Sequence, residues 1–207
     1  MKESRLKTAL TAVIDIVFAG ILWLVCSLPV VTIGPASTAL YYAVVKSIRH
    51  ERGRLSRVFF AGFRQNFRQS FAMWLLYLAL LALSVLDFFT YRNMQLEAAG
   101  PLAAFSAVLA LPVLLTFPWM IAYISRFSNS FGGSLKFVCF LAARHLGRTL
   151  LLAGELLLFL ALAWLLPQIL PLLPGVFALL MSLTIEPVFR TYTADRDPES
   201  GDAWYNE

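Results

Sequence analysis

Four carboxylates stand inside or at the edge of long apolar runs: Asp15, Asp87, Glu155 and Glu186. A carboxylate in hydrocarbon is costly and calls for a partner, a water path or a task. On the topology derived below, Asp15, Glu155 and Glu186 fall toward the same membrane face, which makes them candidates for a proton or cation relay. Asp87 falls toward the opposite face, where Arg92 or water can satisfy it. The simpler reading of the first three is solvation near an interface, or pairing with an arginine such as Arg64, Arg148 or Arg190. Nothing in their spacing brings them together.

A second candidate is the stretch Pro29–Thr38, where Pro29, Gly34 and Pro35 interrupt an apolar run. A helix that starts at membrane depth exposes N–H groups and the positive end of its dipole. Thr32, Gly34, Ser37 and Thr38 would line such a start, as broken helices do in transporter substrate sites. The same residues serve equally well as a structural turn. A third candidate is Ser56–Phe71. Phe60, Phe63, Phe67 and Phe71 recur at helical spacing, with Arg57, Arg64 and Arg68 on a neighbouring stripe. Such a helix lies in a membrane interface with its rings in lipid and its arginines at phosphates, as an anchor leading into a span, or it docks a partner protein. Arg144 and Arg148 open a later apolar run in the same way.

Enzyme chemistry finds little support. His50 and His145 are the two histidines, and neither belongs to an H-E-x-x-H zinc motif. No G-x-S-x-G elbow, P-loop or dinucleotide glycine pattern is present. The sequence therefore offers no catalytic, cofactor-binding or metal-binding residues, and any ATP-driven activity would need another chain. Cys26 and Cys139 read as reduced packing residues rather than a disulfide.

The elements that must position these residues are membrane spans. Of 207 residues, 59% are hydrophobic and 14% charged, with a mean hydropathy of +0.73. Soluble domains carry about 25% charged residues. The net charge of +5 sits in short segments between apolar runs, which points to membrane lipids as partners and away from nucleic acid. Apolar runs cover Ala9–Ile33, Phe71–Thr90, Pro101–Ile124, Thr149–Leu166 and Ile169–Phe189, and about 20 such residues cross a bilayer. The first run is too long for a signal-peptide core and reads as a retained span.

Charge sets the orientation. Lys2, Arg5 and Lys7 place the N-terminus in the cytoplasm. A single first crossing would then put Lys46, Arg49, Arg52, Arg54, Arg57, Arg64 and Arg68 outside, against the positive-inside rule. A return over Ala36–Ile48 resolves the conflict. That helix is short, with Pro35 in its first turn and Thr32 or Gly34 as its cap. The expectation is an all-α, polytopic transmembrane helical bundle of five to six membrane segments, with a broken helix near Pro29–Pro35 and basic amphipathic interfacial helices. Six crossings place both termini on the cytoplasmic side of the membrane. Residues 1–190 form one transmembrane domain, and residues 191–207 form an acidic, flexible cytoplasmic tail.

The run Leu28-Pro29-Val30-Val31-Thr32-Ile33-Gly34-Pro35-Ala36, followed by Ala39-Leu40-Tyr41-Tyr42, resembles the N-terminal hallmark of the bacterial YesL family. Phe59-Phe60-x-x-Phe63-x-x-Asn66-Phe67 extends the resemblance, as do Asp87 with Tyr91-Arg92-Asn93, then Arg126-Phe127, and Arg144-His145 with Arg148-Thr149. It spans roughly residues 8–190. It implies a small multi-helix membrane protein of unknown biochemical function, encoded beside carbohydrate ABC importers and polysaccharide-degrading enzymes in Gram-positive bacteria. The resemblance thus implies a non-enzymatic accessory protein for oligosaccharide import, in contact with ABC transporter permease subunits. An independent transporter of ions or small solutes, working through the intramembrane carboxylates, is the competing expectation. The resemblance carries over no functional residue.

Overall fold

The computed structural model describes residues 2–93, 99–127 and 129–193. The C-terminal tail, Glu97 and the Arg92 side chain, and with them the expected Asp87–Arg92 pair, lie outside the described residues. The described chain is helical, with no strand: α1 Lys2–Cys26, α2 Ile33–Ala43, α3 Leu55–Asn93, α4 Ala99–Leu109, α5 Leu111–Arg126, α6 Phe131–Arg144, α7 Leu146–Leu165 and α8 Leu173–Thr193. Among the described residues, four helical segments are long and apolar enough to cross a membrane: Leu55–Tyr91, Gly100–Arg126, Leu146–Leu165 and Leu173–Tyr192. This composition marks a membrane-embedded protein.

The break after α1 falls where Pro29 and Gly34-Pro35 predict it. A short 3-10 turn, Val30–Thr32, joins α1 to α2. The Thr32 hydroxyl does not cap α2 as expected. It turns back and donates to the carbonyls of Cys26, the last residue of α1, and Pro29, both at 2.7 Å; the Pro29 carbonyl also accepts from the Thr32 N–H at 2.9 Å across the 3-10 turn. The turn is exposed, with Leu28 at 80%, while α2 is buried from Gly34 through Tyr41. Eleven residues of α-helix continue into six of π-helix over Val44–Arg49, a rise of roughly 25 Å. α2 and the first residues of its π-helical extension are thus shielded by protein, whereas the turn before them is not.

The stretch Ser56–Phe71 leads directly into a span. It is the first part of α3, a single 39-residue rod about 58 Å long by helical rise. No proline stands between Pro35 and Pro101, so nothing interrupts it. Its aromatic ladder is Phe59, Phe63, Phe67 and Phe71, with neighbouring ring centroids 6.4, 5.4 and 5.4 Å apart. Phe59 is buried in a cluster with Leu40, Val44 and Ala178 while Phe60 is exposed. The register differs from the expected one by a residue because the i, i+4 spacing from Phe59 meets α2.

Helices approach closely where glycine permits. α2 runs antiparallel along α3, with Gly34 against Trp74 and Gly62 against Tyr42. α1 meets the start of α8 at Gly20, which abuts the Pro171 carbonyl, and Gly175, which abuts Ile16. Small residues at such crossings are the usual means of helix association in lipid. α7 and α8 form the expected hairpin, with Phe159 stacked on Phe177 at 5.2 Å. The turn between them falls in the Pro167–Pro174 region: Pro167–Ile169 is a 3-10 turn and α8 starts at Leu173.

Candidate functional site: a buried ion pair on α8

Glu186 is 2% exposed, in the half of α8 that carries Arg190. Its Oε2 accepts from Arg126 Nη1 at 2.7 Å, and both side chains are 3% exposed. Its Oε1 accepts from the Tyr41 hydroxyl at 3.0 Å. Three elements meet here: the last turn of α5 brings Arg126, α8 brings Glu186, and buried α2 brings Tyr41. The guanidinium of Arg126 lies over the rings of Phe127 at 5.7 Å and Phe189 at 5.6 Å. The charge is thus neutralised on one side and covered by aromatic faces on the other.

One turn earlier on the same face of α8, Ser182 receives a second cation. Arg49 Nη1 donates to the Ser182 carbonyl at 2.7 Å and its hydroxyl at 3.4 Å. Arg49 ends the π-helix that follows α2, so α2 is held against α8 at Tyr41 and again at Arg49. His50 follows. Burial first, then Arg49, pushes its imidazole below the usual histidine range, with Glu186 opposing that shift. The cluster is therefore an electrostatic joint between α2, α5 and α8. Its residues come from positions up to 145 apart in the chain.

The three candidate relay carboxylates have different surroundings. Glu186 has Arg126 and Tyr41, not the expected Arg64, Arg148 or Arg190. Glu155 faces the other side of α8, where its Oε1 accepts from the Thr184 hydroxyl at 3.4 Å, and its Oε2 is buried without a hydrogen-bond partner. Arg148 passes Glu155 by and donates to the Thr184 carbonyl at 3.4 Å. Asp15 is half-buried on α1. Asp87 is half-buried on α3.

The hydroxyls of Thr32, Ser37 and Thr38 are satisfied within the fold. Ser37 accepts from the Trp23 indole at 2.9 Å. Thr38 donates to the Gly34 carbonyl at 3.0 Å and accepts from Ser70 at 3.1 Å. Gly34 itself is a packing contact against Trp74, whose indole donates to the Val30 carbonyl at 2.7 Å. These bonds fasten the turn and α2 to α1 and α3. Arg57, Arg64 and Arg68 are exposed along α3, with Phe63 and Phe67 half-buried beneath them. Arg144 and Arg148 are exposed at the α6–α7 junction. Among the described residues no group of His, Cys, Asp or Glu is arranged to hold a metal.

Sequence reasoning singles out Glu186 but misses Arg126 and Tyr41. Arg126 reads as one more positive-inside charge at the end of a span, and Tyr41 as an apolar position. The signal for Arg126 was its place directly after an unbroken apolar run, where a cation can turn back into the bundle.

Residues 16–88 match the family model described as "Protein of unknown function, DUF624". That match takes in the second part of α1, the broken turn, α2 and nearly all of α3. No curated protein and no solved structure matches the chain.

Proposed function

We propose that this protein is a non-enzymatic accessory subunit of a bacterial carbohydrate ABC importer, a member of the YesL family. In this reading it crosses the plasma membrane six times, with α2 and its π-helical extension as the short second crossing and both termini in the cytoplasm. The observation that carries the reading is the exposed basic face: Arg57, Arg64 and Arg68 on α3, with Arg144 and Arg148 beside it in charge though not in sequence. These cations point away from the core, whereas buried Arg126 is neutralised internally. On the cytoplasmic side they meet lipid phosphates and the charged surface of a partner. The sugar and the ABC importer rest on the family resemblance.

In mild detergent the tagged protein is expected to recover an ABC permease or its ATPase. The triple variant Arg57→Glu, Arg64→Glu, Arg68→Glu should recover about tenfold less or lower still, since like-charge placement at an interface costs more than ~1.4 kcal/mol. Its membrane level should be unchanged. Recovery of the wild-type protein only as a free species, with the transporter abundant in the same membranes, would refute the reading.

One observation favours an independent transporter: the buried, unpartnered Oε2 of Glu155. A carboxylate so placed is suited to carry a proton across a dry segment. On that reading, reconstituted vesicles take up a small solute or ion, and Glu155→Gln abolishes the uptake. Vesicles in which the wild-type protein moves no tested sugar or ion would end it.

A further inference from the structure

A cavity of about 490 Å³ lies among α1, α2, α3, α5, α7 and α8. Its walls are aromatic: Trp23, Tyr41, Trp74, Phe117, Phe159 and Phe177. The polar atoms of these rings are already engaged. The Trp23 indole donates to Ser37, the Trp74 indole to Val30, and the Tyr41 hydroxyl to Glu186. What remains facing the cavity is hydrocarbon and ring face. Such a space excludes water, because water needs two to four polar partners. Left vacant, it forfeits dispersion contacts along its whole lining.

The rim says what reaches it. Leu111 and Leu160 line the cavity and are also 47% and 51% exposed. Both belong to helices long and apolar enough to cross the membrane, so their exposed faces meet lipid tails. Ala110, at the one-residue break between α4 and α5, sits at the same rim. The mouth therefore opens on the hydrocarbon layer. There the apolar group present in greatest excess is the acyl chain of a bilayer phospholipid, and mass action favours it over any scarcer ligand.

We propose that this cavity is a lipid site, holding one acyl chain of a bilayer phospholipid against the rings of Trp23 and Trp74. The chain enters between α5 and α7 past Leu111 and Leu160. Its inner end abuts the Tyr41 ring, so occupancy braces the residue that ties α2 to Glu186. This inference stands independently of the ABC importer reading.

Tryptophan quenching by acyl-brominated phosphatidylcholine in nanodiscs tests it. The background is Trp164→Phe with Trp204→Phe, which removes the 86% exposed Trp164 and the tail indole. Trp23, Trp74 and Trp119 then remain, and Trp119 is fully buried away from the lining. Bromolipid should quench the Trp23 and Trp74 emission by at least twofold. Plugging the rim with Ala110→Phe, or separately Leu160→Trp read by bound phospholipid per protein in native mass spectrometry, should reduce quenching or occupancy by at least twofold. Two plugs at different helices guard against one that fails to fold. Absence of quenching in the two-tryptophan-deleted background, while Trp164 in the wild-type chain is quenched, would overturn the proposal. So would quenching and occupancy indifferent to both plugs, or a polyprenyl lipid or a second protein copy as the retained partner.

Discussion

Glu186→Ala is expected to destabilise the protein by about 3–5 kcal/mol, the cost of leaving one member of a buried ion pair uncompensated. Arg126, 3% exposed, then loses its carboxylate, and regaining water means pulling the end of α5 away from Phe127 and Phe189. Arg126→Ala should cost a similar amount, because Glu186 would keep only the Tyr41 hydroxyl among the bonds described for it. The double replacement Arg126→Met with Glu186→Leu should cost much less than either single loss, since apolar groups of similar size leave no charge buried. Tyr41→Phe removes one hydrogen bond to a charged acceptor and should cost about 1.5–3 kcal/mol. Thermal unfolding in one fixed detergent, followed by intrinsic fluorescence, reads the series. Three independent losses that simply add would show that the cluster is not a joint.

The second large effect concerns close helix approach. Gly20→Ala should destabilise by about 1–3 kcal/mol or more, because its methyl group would overlap the Pro171 backbone carbonyl, which has no rotamer by which to move. Gly34→Ala should do the same against Trp74. That side chain is pinned by its indole bond to Val30, so it can yield only by loosening the broken turn. Gly154→Ala is the control: nothing lies within 4 Å of a methyl group there. In the interior of α7 it should be neutral or stabilise by up to about 1 kcal/mol through helix propensity. The same unfolding assay compares the three, and equal behaviour would show that the α1–α8 and α2–α3 contacts do not set stability.

The parts of this fold that are legible in sequence are those dictated locally. Apolar runs long enough to cross a bilayer announce themselves, and Pro29 with Gly34-Pro35 mark the break because proline and glycine act on their own backbone. α3 changes character along its length, its first half basic and its second apolar, and the absence of proline between Pro35 and Pro101 lets the first lead into the second as one helix. The ion pair was half legible. Glu186 stands out as a charge in an apolar run, but its partner lies 60 residues away and its orientation follows from how α5 crosses α8. The cavity was not legible, since its rings read as ordinary membrane-helix aromatics until tertiary packing places them around one space.

Association with a transporter is tested most directly by cross-linking mass spectrometry on native membranes with the tagged protein as bait. Cross-links from the Ser56–Phe71 stretch, or from Lys136–Arg148, to an ABC permease or its ATPase are the expected result, and they would also place both segments on the cytoplasmic side. Links confined to the protein itself, with the transporter abundant in the same membrane, would contradict the accessory role.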